Sequence, residues 1–175
     1  FGALVAELNE LAPAFVVATG DLVDEGNGAT VSQAEKWFDL YENVTSALNM
    51  PLFNAVGNHD VVGINNQTVT STDPGYAKGT FSSRFGPTYY SFDWGQSHCI
   101  VLDPNDLVDG EQVYQISDAQ LRWLKGDLKH SKSATLLIFF HEPTANWRNR
   151  TEVLEVLKGR SARLFCGHLH QDLMT

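Results

Sequence analysis

Four short apolar runs in this sequence each end directly in a cluster of polar side chains. Runs such as 14–19 and 135–140 are continuous and rich in β-branched or aromatic residues, which is typical of strands buried on both faces. Ligands of open α/β sheets bind outside the carboxyl ends of the strands, so we expect the four clusters to meet at one site. The clusters are Gly20-Asp21, Gly57-Asn58-His59-Asp60, His141-Glu142 and Gly167-His168-Leu169-His170.

The segments between these runs predict an α/β fold. A helical pattern over 31–48 lies between buried strands at 14–19 and 52–56, and this alternation indicates βαβ units with a parallel sheet. Residues 65–86 read as a long polar loop. We find no repeat and no linker, and we expect one domain over residues 1–175. The remaining predicted elements are helices at 1–11, 117–129 and 152–157, a strand at 162–166, and a hairpin of 89–94 with 98–102.

The residue types in the clusters indicate a metal site. Aspartate, asparagine and histidine are ligands that suit Mn, Fe or Zn. Each cluster alone has an ordinary structural explanation, because a Gly-Asp after a strand is usually a turn and a lone histidine usually packs in a core. The coincidence of four clusters at four strand ends favours the metal site. His98 and His130 lie elsewhere, and we expect them in a strand and at a helix end.

The formal charge of −9 argues against nucleic acid as a partner, because phosphate backbones are bound mainly by lysine and arginine. Bound metal ions can still give an acidic protein affinity for a small phosphate ester. The sequence contains no apolar run of 18 residues, so we expect no membrane span. It leaves localisation and oligomeric state open.

The order of the motifs GDLVDEG, GNHD, a lone strand-end histidine and GHLH resembles the calcineurin-like metallophosphoesterases, over about residues 13–170. The flanking sequence is similar to cyclic-nucleotide phosphodiesterase-like and purple-acid-phosphatase-like members. This resemblance implies a four-layer sandwich of two mixed β-sheets flanked by helices. It also implies hydrolysis of phosphomonoester or phosphodiester bonds by a hydroxide activated between two transition metal ions, Mn, Fe or Zn.

The resemblance also implies a role for each residue that matches a family motif. Asp21 corresponds to the carboxylate that bridges both metals, and His170 to a ligand of the second metal. His59 corresponds to the histidine that contacts the substrate phosphate and protonates the leaving group, and Asp24 to the carboxylate that orients it. The remaining ligands of the first metal correspond to Asn58, His141 and His168.

One family motif is absent. The Asp-X-His at the end of the first strand, which completes the second metal site, does not occur in the sequence. We expect the chain to start just after that strand, because a helical pattern opens at residue 1; a degenerate family member is the alternative. As written, the chain offers a full ligand set to one metal and only two ligands to the other, so we expect the intact parent to be active and the isolated fragment to be inactive. A non-catalytic scaffold on the same fold and a nuclease remain the rival functions.

Weaker candidates surround the proposed site. Asn146, Trp147 and Arg148 follow His141 and either contact substrate or lie in a solvated loop. Asp60 and Glu142 adjoin proposed ligands, so we expect them to support those ligands. The carboxylates of Asp103, Asp106 and Asp109 are expected in a solvated loop.

Overall fold

Two β-sheets pack face to face and carry helices on their outer faces in the computed structural model, which describes residues 2–170. The helices are α1 (Gly2–Leu11), α2 (Val31–Thr45), α3 (Gly79–Phe85), α4 (Asp118–His130) and α5 (Arg150–Leu157). The strands are β1 (Val16–Ala18), β2 (Leu52–Asn54), β3 (Tyr90–Trp94), β4 (Ser97–Val101), β5 (Asn105–Val108), β6 (Glu111–Tyr114), β7 (Thr135–Phe139) and β8 (Ser161–Phe165).

The strand pairing follows the predicted βαβ pattern. β1 and β2 form a parallel pair in which Val17 lies opposite Phe53. The larger sheet has the order β3-β4-β7-β8, in which β3 is antiparallel to β4 and the other pairs are parallel. The predicted hairpin is confirmed as β3 and β4. The proposed ligand strands β1, β2, β7 and β8 are therefore all members of parallel pairs.

Alternation along the strands of the larger sheet divides its side chains between two cores. In β4, Cys99 and Val101 face the β1–β2 sheet, whereas Ile100 packs against α4 and α5. The ring of Phe53 stacks on Phe92 across the two sheets, with centroids 3.8 Å apart. The layers therefore run α1 and α2, β1–β2, the larger sheet, then α4 and α5, which confirms the predicted fold.

Helix α2 covers the outer face of the small sheet. Thr30 caps its first turn, since the side-chain oxygen accepts the Gln33 amide hydrogen and the Gln33 side chain accepts in return. Ala34 and Phe38 are fully buried against Val56. None of the helices in residues 2–170 has the length and apolar character needed to cross a membrane.

Two loop predictions were wrong. Residues 65–86 contain helix α3, whose Phe81 is fully buried. Asp103 is buried, not solvated, and its carboxylate pairs with Lys78. Two residues further on, β5 and β6 form a hairpin whose turn is Asp109-Gly110, both with positive φ (54° and 84°). That turn type favours Asp-Gly, so the sequence did carry a signal for this hairpin.

Candidate metal centre

Glycines at the ends of β1 and β2 allow the polar loops to approach closely. Gly20 has φ +95°, and a Cβ there would lie 2.7 Å from both Gly57 Cα and His141 Nδ1. A Cβ on Gly57 would lie 2.2 Å from the backbone nitrogen of Asp21. No side chain fits in either place, so the two glycines let three strand ends share one small volume.

Four predicted ligands meet in that volume. Asn58 Oδ1 lies 3.0 Å from His141 Nε2 and 3.0 Å from His168 Nδ1. Asp21 Oδ2 lies 3.0 Å from the same His141 nitrogen. One ligand atom from each of Asp21, His141 and His168 lies within 4.8 Å of the others. The structure thus brings together the full set predicted for the first metal.

His141 is oriented toward this centre by its second ring nitrogen. The residue is buried, with 2% of its surface exposed, and Nδ1 lies 2.7 Å from the carbonyl oxygen of Thr19. A proton on Nδ1 donated to that carbonyl leaves the Nε2 lone pair facing the cluster, as in metal-binding histidines. Burial alone would lower the pKa of His141, but the hydrogen bond and charge of Asp21 raise it.

The electrostatics of the other ligands follow from the same contacts. Burial would raise the pKa of Asp21, but the hydrogen bond and charge of His141 hold it below its usual value. Burial and the neighbouring His141 lower the pKa of His168. Asp21 is therefore anionic and His168 neutral near pH 7, which are the protonation states that metal ligands require.

The backbone is strained at three of the proposed ligands. Asp21, His168 and His170 have φ values of 54°, 69° and 50°, in the left-handed region that favours glycine. A non-glycine residue held there costs of the order of 1 kcal/mol, and such residues concentrate at functional sites. Such strain is expected where a site requires a particular side-chain direction that the favoured backbone conformations do not give.

His170 does not join the cluster of the other ligands. His170 is exposed. The group of side chains close enough together to hold a metal ion consists of Asp21, His141 and His168. The described residues therefore supply four donors for one ion. The assignment of Asp21 and His170 to a second ion stays a prediction.

His59 lies beside the cluster. Its backbone N–H donates to Asp21 Oδ1 at 3.0 Å, and its imidazole is about one-third exposed, with 35% of the side-chain surface accessible. Its Nδ1 is buried and has no hydrogen-bond partner among the described residues. The carboxylate paired with that nitrogen belongs to Glu25, at 3.9 Å, and both Glu25 and the adjacent Asp24 are exposed. The assignment of Asp24 as the carboxylate that orients His59 stays a prediction.

Asp60 is a buried carboxylate that links two loops of the site. It is fully buried, and its carboxylate accepts the backbone N–H groups of Leu22, Val23 and Gly57 at 2.8, 3.1 and 2.7 Å. Burial raises the pKa of Asp60 to about 7, although these three N–H groups act to lower it. The residue thus ties the loop after Asp21 to the loop of Asn58.

The loop after His141 and the β5–β6 hairpin border the centre. Trp147 is buried at 5% exposure and donates its indole N–H to the Glu142 carbonyl oxygen, so it is a packing residue and not a substrate contact. Asn146 and Arg148 are exposed. The ring of Tyr114 in β6 meets the His168 ring edge-on, with centroids 5.7 Å apart. No motif in the sequence indicates that this hairpin reaches the site.

The donor set fits a transition metal ion. Two imidazole nitrogens, a carboxamide oxygen and a carboxylate oxygen converge, and imidazole with oxygen ligands suits Mn, Fe or Zn. The approach of the two ring nitrogens to within 3.3 Å of each other places lone pairs face to face unless a cation or a proton lies between them. The cluster is therefore arranged for a cation.

Comparison with known proteins agrees with this geometry. The sequence matches the family model described as calcineurin-like phosphoesterase over residues 1–172. The chain belongs to this family. The resemblance carried by the motifs is thereby confirmed.

The chain is also similar to two curated members of that family. A probable cyclic nucleotide phosphodiesterase of Rhodococcus erythropolis is 25% identical over 169 residues, which is 90% of this chain and 52% of the relative. A probable cyclic nucleotide phosphodiesterase of Moraxella catarrhalis is 28% identical over 186 residues, 98% of this chain and 63% of the relative. The chain thus spans between about half and two-thirds of the length of these relatives.

Solved structures show the same fold. The structure of PhoD superposes with a TM-score of 0.71 at 13% identity, covering 97% of this chain and 48% of PhoD. The purple acid phosphatase PPD1 from yellow lupin seeds has a TM-score of 0.50 at 17% identity, covering 82% of this chain and 26% of the phosphatase. At these identities the likeness concerns the fold alone.

Proposed function

We propose that the whole protein hydrolyses phosphate esters with the help of transition metal ions, and that Asp21, Asn58, His141 and His168 hold the first of them. The observation that carries this proposal is the convergence of their donor atoms. Asn58 and His168 are 110 residues apart in sequence, yet their side-chain atoms lie 3.0 Å apart. Such convergence of polar groups at strand ends has no use in packing a core.

The residues of this chain would have different roles in the hydrolysis. A bound metal ion would supply Lewis acidity and lower the pKa of a bound water molecule. Asp21 brings negative charge to the centre, because contact with His141 keeps the pKa of its carboxyl low. The accessible imidazole of His59 lies next to Asp21 and is suited to contact a substrate phosphate and give a proton to the leaving group. Glu25 Oε2 lies 3.9 Å from His59 Nδ1 and would orient the imidazole toward the substrate.

The substrate class follows from the relatives. Both curated relatives are named probable cyclic nucleotide phosphodiesterases, so a phosphodiester is the substrate we propose, with a monoester as the alternative. Two ions form the proposed complete centre, with His170 and Asp21 among the ligands of the second. The metals proposed are Mn, Fe or Zn, and activity belongs to the whole protein.

Metal content by mass spectrometry on this chain, read together with hydrolysis of bis-p-nitrophenyl phosphate and p-nitrophenyl phosphate by the whole protein, tests the proposal. After Mn²⁺, Fe²⁺ and Zn²⁺ have each been offered, we expect the chain to retain at least one ion. His141→Ala should abolish retention, since it removes the nitrogen shared by Asn58 and Asp21. His59→Ala should leave metal content unchanged and reduce turnover about 100-fold or more.

His130→Ala is the matched control. His130 is the last residue of α4, and within residues 2–170 its ring bonds to the Gly126 carbonyl oxygen of the same helix at 2.8 Å. Metal content and turnover should therefore be unchanged. A wild-type chain that retains no ion and shows no turnover would contradict the proposal and leave a non-catalytic scaffold on this fold as the explanation.

A further inference from the structure

Asn105, the first residue of β5, is a fully buried carboxamide that joins two of the loops carrying proposed ligands. Its Nδ2 donates to the Val56 carbonyl oxygen and to Glu142 Oε2, both at 3.2 Å. Val56 lies two residues before Asn58, and Glu142 directly follows His141. The two partners are 49 and 37 residues away in sequence. One side chain thus bridges the strand ends that bring Asn58 and His141 together.

The other polar groups of Asn105 are also bonded, so the side chain is fixed. Its Oδ1 accepts a hydrogen bond from Gln112 Nε2 at 2.9 Å, and its backbone N–H donates to Asp103 Oδ1 at 3.0 Å. Gln112 in turn accepts from Asn27 at 3.0 Å and donates weakly to the Asn58 carbonyl oxygen at 3.4 Å. Because both the oxygen and the nitrogen of this carboxamide are hydrogen-bonded, a displacement of Asn105 would also displace the groups that it contacts.

Glu142 depends on this bridge. Its side chain is fully buried, and Oε1 has no hydrogen-bond partner among the described residues. The Asn105 amide donates to Oε2, and the backbone N–H of Glu142 itself is the other donor to this carboxyl group. A buried carboxylate that loses a donor costs about 1–3 kcal/mol or more, or forces a rearrangement. Loss of the Asn105 amide would therefore shift Glu142 and, with it, the adjoining His141.

We propose that Asn105 is a positioning residue that fixes the separation between Asn58 and His141, and thereby sets the metal affinity of the centre. The two donor atoms stand 3.0 Å apart, and the bridge joins the residue two positions before Asn58 to the residue directly after His141. The inference rests on the proposed metal site. It assigns a role within that site to a residue that no motif marks.

The test measures the dissociation constant for Mn²⁺ by isothermal titration calorimetry, and thermal unfolding in EDTA, on the full chain. Asn105→Asp keeps the shape of the side chain, removes both donated hydrogen bonds and sets a carboxylate against Glu142. We expect the dissociation constant to rise at least about tenfold, the range seen when groups that orient metal ligands are changed.

Asn149→Asp is the matched control. Asn149 also braces two segments through its carboxamide, donating to the Ile116 carbonyl oxygen at 2.7 Å and accepting from the Ile116 N–H at 3.1 Å, but it touches no proposed ligand. Both substitutions should lower the unfolding temperature in EDTA. Only Asn105→Asp should weaken Mn²⁺ binding.

Exchanging the two partners separates position from charge. Glu142→Gln alone keeps an acceptor for the Asn105 amide, so the dissociation constant should stay within about threefold of wild type. The double variant Asn105→Asp/Glu142→Gln restores the bond between positions 105 and 142 in reversed order, but not the bond to the Val56 carbonyl oxygen, and should recover part of the affinity lost in Asn105→Asp.

Each outcome decides the matter. Wild type that fails to bind Mn²⁺ contradicts the proposed function itself. If wild type binds and Asn105→Asp binds equally well, or if Glu142→Gln loses as much affinity as Asn105→Asp, the positioning role is wrong. If Asn105→Asp does not fold, Gln112→Met is the second variant, because Gln112 is only half-buried. It removes the hydrogen bond that Gln112 Nε2 donates to Asn105 Oδ1. Unchanged Mn²⁺ affinity in that variant would contradict the proposal.

Discussion

His98 forms a buried clamp at the far end of the larger sheet from the metal centre, and its charge should make stability depend on pH. Nδ1 lies 2.7 Å from Asp93 Oδ1, and Nε2 lies 2.7 Å from Asp127 Oδ2. A neutral imidazole has one N–H and can donate to only one of two carboxylates, whereas the protonated ring donates to both. Burial would lower the pKa of His98, but the hydrogen bonds and charges of Asp127 and Asp93 raise it above 6.5.

The sign of the effect follows from that shift. Because the pKa in the folded state is higher than in the unfolded chain, the clamp contributes its full stability below about pH 6.5. The contribution is lost as pH rises through the folded-state pKa. Stability attributable to His98 should therefore fall as pH rises above about 6.5.

The two carboxylates should not contribute equally. The Asp127 side chain is 17% exposed, and hydrogen bonds to charged groups in such positions contribute about 1.5–3 kcal/mol. The Asp93 side chain is 73% exposed, and water screens such pairs to about 0.2–1 kcal/mol. We expect Asp127→Asn to cost about 2 kcal/mol at pH 6 and less at higher pH, approaching the roughly 1 kcal/mol of an ordinary neutral hydrogen bond once the ring has lost its proton.

Urea denaturation in EDTA at pH 6, 7, 8 and 9 measures these differences. Asp93→Asn is the matched control and should cost less than about 1 kcal/mol throughout. Subtracting each variant from wild type at the same pH cancels the titration of all other groups. A histidine titration by NMR should show the pKa of His98 lower in Asp127→Asn. An Asp127→Asn penalty that is the same at pH 6 and pH 9 would refute the charged clamp.

Two further predictions concern the packing that supports the centre. Gly20→Ala should lower the unfolding temperature by several degrees and weaken Mn²⁺ binding, because its Cβ would stand 2.7 Å from His141 Nδ1 at a φ of +95°. Gly126→Ala lies in α4, where the added Cβ meets nothing within 4 Å, and should raise the free energy of unfolding by about 0.5–1 kcal/mol. Phe38→Ala should cost about 3–5 kcal/mol in urea denaturation, because the ring is fully buried, whereas Trp37→Ala, at 36% exposure, should cost clearly less; equal penalties would show that this face of α2 is not packed as described.

The ligand-bearing half of the fold could be predicted because its signals are local. A buried strand shows as a short apolar run, and the residue after it must leave the sheet, so Asp21, Asn58, His141 and His168 could all be placed at strand ends. Gly95-Gln96 likewise predicts the turn of the β3–β4 hairpin, and the pairing of Trp94 with Ser97 confirms this hairpin.

What the sequence could not predict depends on distant contacts. Asp103 resembles any loop aspartate until Lys78 is seen to pair with it, and Asn105 differs from a surface asparagine only in its partners 37 and 49 residues away. Helix α3 is short and its segment is polar, so its apolar side, with Phe81 buried under α2, was too brief to show a period. The choice between Asp24 and Glu25 depended on side-chain direction at adjacent positions, which spacing does not determine.

The donors of the centre come from parts of the chain that an unfolded polypeptide would seldom bring together. Asn58 is 83 residues from His141 and 110 from His168. An ion held by all of them would act as a reversible cross-link around loops of about 100 residues, whose closure removes roughly 4–5 kcal/mol of chain entropy from the unfolded state. Release of such an ion would loosen the sheets, helices and hairpin together, and the concentration of metal around the protein would set how often it unfolds.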